Sequence, residues 1–206
     1  MDARAPVTIS DPVPADFGEL CRTVEELHLP DGYRAEIIRG KIVVSPWSRA
    51  YYWRPVKSLR RQLEPHAPEG HDADTAPFLF VFPEAARAYG PDLFVADEAA
   101  FEHHSVRIPG EALSLVAQLT PVSAKDEDWS EKLAVYGRQV PVYLLVDMQA
   151  ETVTVFWGPS GQGYRSRTTV PFGEKLRVPE PFGFELDTDG FAAPGEATAA
   201  GTAGTP

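Results

Sequence analysis

Four short apolar runs constrain this chain most: PFLFVFP (77–83), LFVAD (93–97), LSLVAQL (113–119) and YLLVD (143–147). Their apolar character is nearly continuous rather than strictly alternating, which is the pattern of buried strands. Such runs demand an interior sheet and elements to cover it. The flanking text supplies them. Asp16 is placed to cap a helix, FGELCRTVEEL, with Phe17, Leu20, Val24 and Leu27 on one face. YRAEIIRG and KIVVSP read as a hairpin turning at Arg39-Gly40-Lys41. Pro55 opens a second helix whose Val56, Leu59 and Leu63 form an apolar stripe. A third, WSEKLAVYGRQ, follows Asp126 to Asp128 and turns Leu133 and Tyr136 inward. TVTVFW (152–157), GYRSRTTV (163–170), EKLRVP (174–179) and FGFELD (182–187) close the chain as an antiparallel meander. The sequence therefore predicts an α+β domain with one mixed central sheet over residues 16–191. Residues 1–15 read as a flexible arm and 192–206, AAPGEATAAGTAGTP, as a disordered tail.

Charge narrows the partners. Thirty acids against 19 bases leave a formal charge of -11, a field that repels nucleic acid unless a local basic patch overrides it. The single Cys21 excludes an intramolecular disulfide framework and cysteine-cluster zinc sites. The first residues lack the apolar run of a signal peptide and no stretch is long enough to span a membrane, so a cytoplasmic protein with no membrane partner is expected.

Several residues stand out chemically. Asp92 ends a Gly90-Pro91-Asp92 turn, where an acid also serves as an ordinary turn cap. Glu36 lies in a hairpin strand, a usual place for a solvent-facing residue. Lys132 follows Asp128 at i,i+4, the spacing of a helical ion pair. Trp47, Tyr51, Tyr52 and Trp53 cluster before the second helix, either as core or as the wall of a ligand cleft. Arg54, Lys57 and Arg61 share one face of that helix, a solvated face or a phosphate-binding surface. The histidines, among them His66, His71, His103 and His104, lack convincing zinc spacing.

In order, EIIRGKIVVSP (36–46), GPDLFV (90–95), LVAQLTP (115–121) and DWSEK (128–132) with VPVYLLVD (140–147) resemble the Uma2 (DUF820) family. That family is a branch of the restriction endonuclease-like PD-(D/E)XK nucleases. The resemblance covers about residues 17–190 and implies a restriction endonuclease-like fold. It also implies metal-dependent phosphodiester hydrolysis, with Glu36, Asp92 and Lys132 catalytic and Glu36 and Asp92 holding Mg2+ or Mn2+. Trp47, Tyr52, Trp53, Arg54, Lys57 and Arg61 are the expected contacts to DNA or a small-molecule ligand. A homodimer is a further expectation from the resemblance. Counting back from Pro121, Ala117 stands where the family carries a glutamate, and Tyr52 where it often carries a histidine. Strand alternation puts Leu113, Leu115, Ala117 and Leu119 on one face and Gln118 on the other. Three readings follow: a nuclease with a weakened site, a catalytically silent binding module, and a relative redirected to small-molecule chemistry in a biosynthetic pathway.

Overall fold

The computed structural model describes residues 7–9, 16–46, 50–75, 78–102, 104–120 and 126–192. In chain order its elements are β1 (Val7–Ile9), α1 (Phe17–Glu26), β2 (Tyr33–Ile38), β3 (Lys41–Pro46), α2 (Trp53–Leu63), β4 (His71–Asp74) and β5 (Leu79–Phe82). Then come β6 (Arg87–Tyr89), β7 (Leu93–Asp97), β8 (Arg107–Pro109), β9 (Leu113–Thr120) and α3 (Asp126–Tyr136). The chain closes with β10 (Val142–Asp147), β11 (Thr152–Trp157), β12 (Ser166–Pro171), β13 (Lys175–Val178) and β14 (Phe184–Asp187).

The strands form two six-stranded sheets rather than one, in the orders β1-β3-β2-β6-β5-β8 and β12-β11-β10-β9-β7-β4, with β13 and β14 as a separate hairpin. Both large sheets are mixed: β5 runs parallel to β8, and β9 parallel to β10. The α+β class holds, with α1 and α2 on the outer faces and antiparallel strands at the C-terminal end. The expected meander divides, because β11 and β12 extend the second sheet while β13 and β14 pair with each other. Within the stretch read as an arm, Val7–Ile9 pairs with Ile42–Val44 of β3. Residues 193–206 lie outside the described residues.

Three apolar clusters define the layers. Leu20 and Cys21 of α1 pack with Ile37, Ile42, Leu79 and Ala88 on the outer face of the first sheet. Its inner face gives Ile38, Phe80, Phe82 and Tyr89 to a cluster shared with Phe94, Val116, Tyr143 and Phe156 of the second sheet and Tyr136 of α3. Leu59 and Leu63 of α2 and Leu176, Val178 and Leu186 of the hairpin pack with Leu93, Leu115, Ala117 and Leu144 on the second sheet's outer face. The chain is therefore layered helix, sheet, sheet, then helix with hairpin. The period-two alternation of β2 sends Arg34, Glu36 and Ile38 into the space between the sheets.

Two local features hold this plan. The β2–β3 hairpin turns on Arg39 and Gly40, both with positive φ (51° and 68°), as a tight two-residue turn requires. Beyond α3, a Cβ on Gly137 would lie 2.8 Å from the Leu133 carbonyl oxygen and 2.8 Å from the Tyr164 backbone nitrogen. Glycine alone lets the 158–165 loop approach the helix end, where Ser160 N–H donates to the Gly137 carbonyl. Both obstacles are backbone, so Gly137→Ala is expected to destabilise the fold by about 1–3 kcal/mol, seen as a lower urea midpoint with unchanged slope.

Candidate functional site

Four charged side chains meet between the sheets, and β2 provides two of them. Glu36 is 3% exposed; its Oε1 and Oε2 accept from Lys132 Nζ at 2.7 and 2.8 Å, and Oε1 also accepts from the Gly90 N–H at 2.9 Å. Two residues earlier on the same face, Arg34 donates from Nη1 to Asp92 Oδ1 at 3.0 Å and to the Gly90 carbonyl at 3.1 Å. Asp92 Oδ2 accepts the Leu119 N–H at 2.8 Å, so its carboxylate continues the β7–β9 ladder past the end of β7. Lys132, 5% exposed, projects from α3 with its ammonium 5.4 Å from the centre of the Tyr89 ring.

The electrostatics follow from burial opposed by pairing. Burial alone would push the Glu36 carboxyl up, but Lys132, Arg34 and the hydrogen bonds from Lys132 and Gly90 outweigh it and hold the group below its ordinary value. Burial likewise opposes the Arg34 charge, and the carboxylates of Asp92 and Glu36 more than restore it. Tyr136 and Tyr143 are pushed upward, first by burial and then by nearby acids: Glu36 for both, with Asp92 also acting on Tyr143. Their hydroxyls therefore stay protonated beside the acids.

Glu36 and Lys132 thus meet directly, and Asp92 joins them through Gly90 and Arg34, the latter a residue that sequence reasoning missed. Its signal was available: Arg34 and Glu36 are two apart in one strand and must share a face. Lys132 spends its charge on Glu36; the side chain of Asp128, its expected helical partner, lies outside the described residues. Asp147 is a turn acid, accepting the N–H groups of Gln149 and Ala150 at 2.9 Å each.

The placement of Ala117 is a correction. Leu93 pairs with Ala117 and Phe94 with Val116, so continuing the register sets Asp92 against Gln118. Ala117 is fully buried in the outer cluster beside α2, whereas Val116, the Asp92 carboxylate and Tyr143 belong to the inner side. A carboxylate at 117 would sit among alkyl side chains rather than beside Asp92. Gln118 is the β9 residue that faces the charged group, and its Oε1 is buried without a hydrogen-bond partner among the described residues. Alternation also fails at the strand's start: the register shifts between Val95 and Ala96, so Leu113 joins the inner cluster while Leu115 joins the outer one.

The aromatic and basic residues also part from expectation. Tyr52 is 2% exposed, packs in the outer cluster and donates from its hydroxyl to the Thr120 carbonyl at 3.0 Å, so it is core rather than cleft wall. Trp53, Arg54, Lys57 and Arg61 line a separate groove with Asp187 and Asp189. Trp47 lies outside the described residues, as does His103. His66 stacks on Phe184 with ring centres 4.4 Å apart.

A family model described as "Uma2: Putative restriction endonuclease" matches residues 15–189. The chain belongs to the Uma2 family. A crystal structure of a putative nuclease belonging to DUF820 from Anabaena variabilis superposes with a TM-score of 0.63 and 14% identity, covering 83% of this chain and 96% of that one. At that identity the likeness concerns the fold. No curated protein matches the chain. Among the described residues no helix is long and apolar enough to cross a membrane.

A divalent metal fits these residues poorly. Magnesium or manganese needs several oxygen ligands, with carboxylates free to face it. Here both oxygens of Glu36 are engaged by Lys132, and those of Asp92 by Arg34 and the Leu119 N–H. Among the described residues no group of three or more His, Cys, Asp or Glu comes together to hold an ion.

The Glu36–Lys132 pair yields a stability prediction. Lys132→Met strands a buried carboxylate and is expected to cost on the order of 3–5 kcal/mol, whereas Glu36→Leu combined with Lys132→Met should cost far less than the two single changes together. Because the folded Glu36 pKa is depressed, its contribution is present above the unfolded value near 4.5 and is lost as pH falls through the folded value. Urea titrations between pH 3 and 6 should therefore show the gap between the native protein and Glu36→Gln shrinking below about pH 4.5.

Proposed function

We propose that this Uma2-family chain is a binding protein built on the nuclease fold, in which efficient metal-dependent hydrolysis has given way to an internal ion network. The observation that carries this reading is the commitment of both acids: Glu36 to Lys132 and Asp92 to Arg34, at hydrogen-bond distances inside the molecule. In a hydrolytic centre the carboxylates must face a metal and the lysine must be free to steady charge developing on phosphate. In this chain each such group is neutralised by a neighbour. Opening either pair would expose an unpaired buried charge, a cost of several kcal/mol before any chemistry begins. Arg34, Glu36, Asp92 and Lys132 on this reading are positioning residues that fasten the two sheets and α3 together.

Incubation of the purified protein with supercoiled plasmid in magnesium, and separately in manganese, tests the proposal. No nicking above the metal-free control is expected over several hours, and calorimetry should detect no tight uptake of either ion. Metal-dependent cutting that disappears in Asp92→Ala would overturn the reading and return the site to the nuclease class.

A further inference from the structure

Among the described residues only two large apolar side chains are strongly exposed, Trp53 at 62% and Val106 at 49%. Trp53 opens a groove of about 550 Å³ between α2 and the end of β14. One wall carries Arg54, Lys57 and Arg61, and the other carries Asp187 and Asp189. Gln62 fixes that second wall: its amide donates to the Asp187 carbonyl at 2.9 Å and accepts the Asp187 N–H at 2.8 Å, as a neighbouring strand would. The groove floor is thus held by backbone-type hydrogen bonds.

The three cations are exposed, and no ion pair joins them to an acid among the described residues; their neighbour Arg60 is instead paired with Asp74 at 3.2 Å. In a protein of charge -11, cations with no acid partner among the described residues, set along one helix face beside an exposed indole, make a locally positive strip on a molecule of net negative charge. Arg54, Lys57 and Arg61 are spread over about 10 Å along the helix axis. The Lys57 ammonium lies 4.5 Å from the centre of the Trp53 ring, so a partner meets cation and indole together.

We propose that this groove binds single-stranded nucleic acid, with phosphates along Arg54, Lys57 and Arg61 and a base stacked on Trp53. A single strand combines the two features the groove offers, a line of negative charge and exposed flat rings. A duplex hides its ring faces, and its second backbone would be driven against Asp187 and Asp189. Those acids are instead placed to accept hydrogen bonds from the N–H groups that unpaired bases, thymine included, leave exposed. The proposal rests on reading the chain as a binding protein, yet its surface is separate from the Glu36–Asp92 group. Metal-dependent plasmid cutting would sink that earlier reading alone, and absence of oligonucleotide binding would sink this one alone.

Fluorescence anisotropy of the full chain with a fluorescein-labelled oligothymidine of about twelve nucleotides tests it. Binding is expected at low ionic strength, weakening with salt at a log–log slope near -2, the value for about three phosphates neutralised on a single strand. Arg61→Ala should bring that slope down by about 0.7, and combined Arg54→Ala, Lys57→Ala and Arg61→Ala should abolish binding. Trp53→Ala should weaken it roughly tenfold, the scale of one base stacked on an aromatic ring. A blunt-ended duplex of matched length should bind more weakly and ignore Trp53→Ala. All these positions are exposed, so thermal melts of the variants should match the native protein; Arg61→Ala alone suffices if the triple variant melts early. No salt-sensitive binding, binding that survives the triple variant, equal binding of the duplex, or displacement by polyglutamate as readily as by unlabelled oligothymidine would each overturn the assignment.

Discussion

The contacts of Glu36 with Lys132 and the Gly90 N–H join three elements that sequence separates widely. β2 lies in the first sheet, α3 follows the longest strand of the second, and Gly90 precedes β7. A buried ion pair is weak evidence for stability, since removing two charges from water costs much of what their attraction returns. Its stronger effect is on specificity. With Glu36 held by Lys132 and the Gly90 N–H, and Arg34 two residues away holding Asp92, this register of the first sheet against the second pairs all four charges. Any slip of β2 by one residue would send Arg34 and Glu36 towards α1 and bring Ile37 between the sheets.

That restriction bears on chemistry. An acid can serve either as a ligand for a hard cation or as the saturated partner of a basic side chain; it cannot do both with the same oxygens. Metal sites orient their carboxylates through outer-shell hydrogen bonds while leaving oxygens to face the ion. Here each acid has a cation among its partners, Lys132 on Glu36 and Arg34 on Asp92, beside the N–H groups of Gly90 and Leu119. The four charges balance within the interior, and the protonated hydroxyls of Tyr136 and Tyr143 add no charge to it. On the proposed reading, the Uma2 fold surrounds a centre whose paired charges hold its layers together.

Much of this was legible from the chain. The apolar runs, the hairpin at Arg39-Gly40 and the stripe Val56, Leu59, Leu63 are local signals, and local signals survive folding. The division into two sheets was not legible, because strand text does not say which neighbours it takes. The site was legible in part. Glu36, Asp92 and Lys132 were singled out by family resemblance; Arg34 was missed, although its spacing from Glu36 put it on the same face, because its partner Asp92 comes from a distant strand. The assignment of Ala117 failed for a definite reason: alternation along β9 was counted correctly at 117 and 118, yet the facing position of Asp92 depends on pairing with β7, which places it against Gln118. Leu113 failed for another, the register shift that turns it to the inner side.

The distribution of charge then explains why the basic face of α2 matters despite the acidic whole. At physiological salt an exposed charge is felt over roughly 8 Å, so distant acids scattered over the surface act only weakly on a phosphate seated at Arg61. The local neighbours decide, and the groove at α2 is lined by cations along the helix with two acids on the facing wall. The net negative charge has a different consequence: it slows the approach of any polyanion and disfavours long contacts, because a strand leaving the groove soon meets repulsion. A short segment of a flexible strand satisfies both constraints, whereas an extended duplex satisfies neither. The acidic surface therefore limits the length and stiffness of what the groove can hold, and the helix face sets its sign.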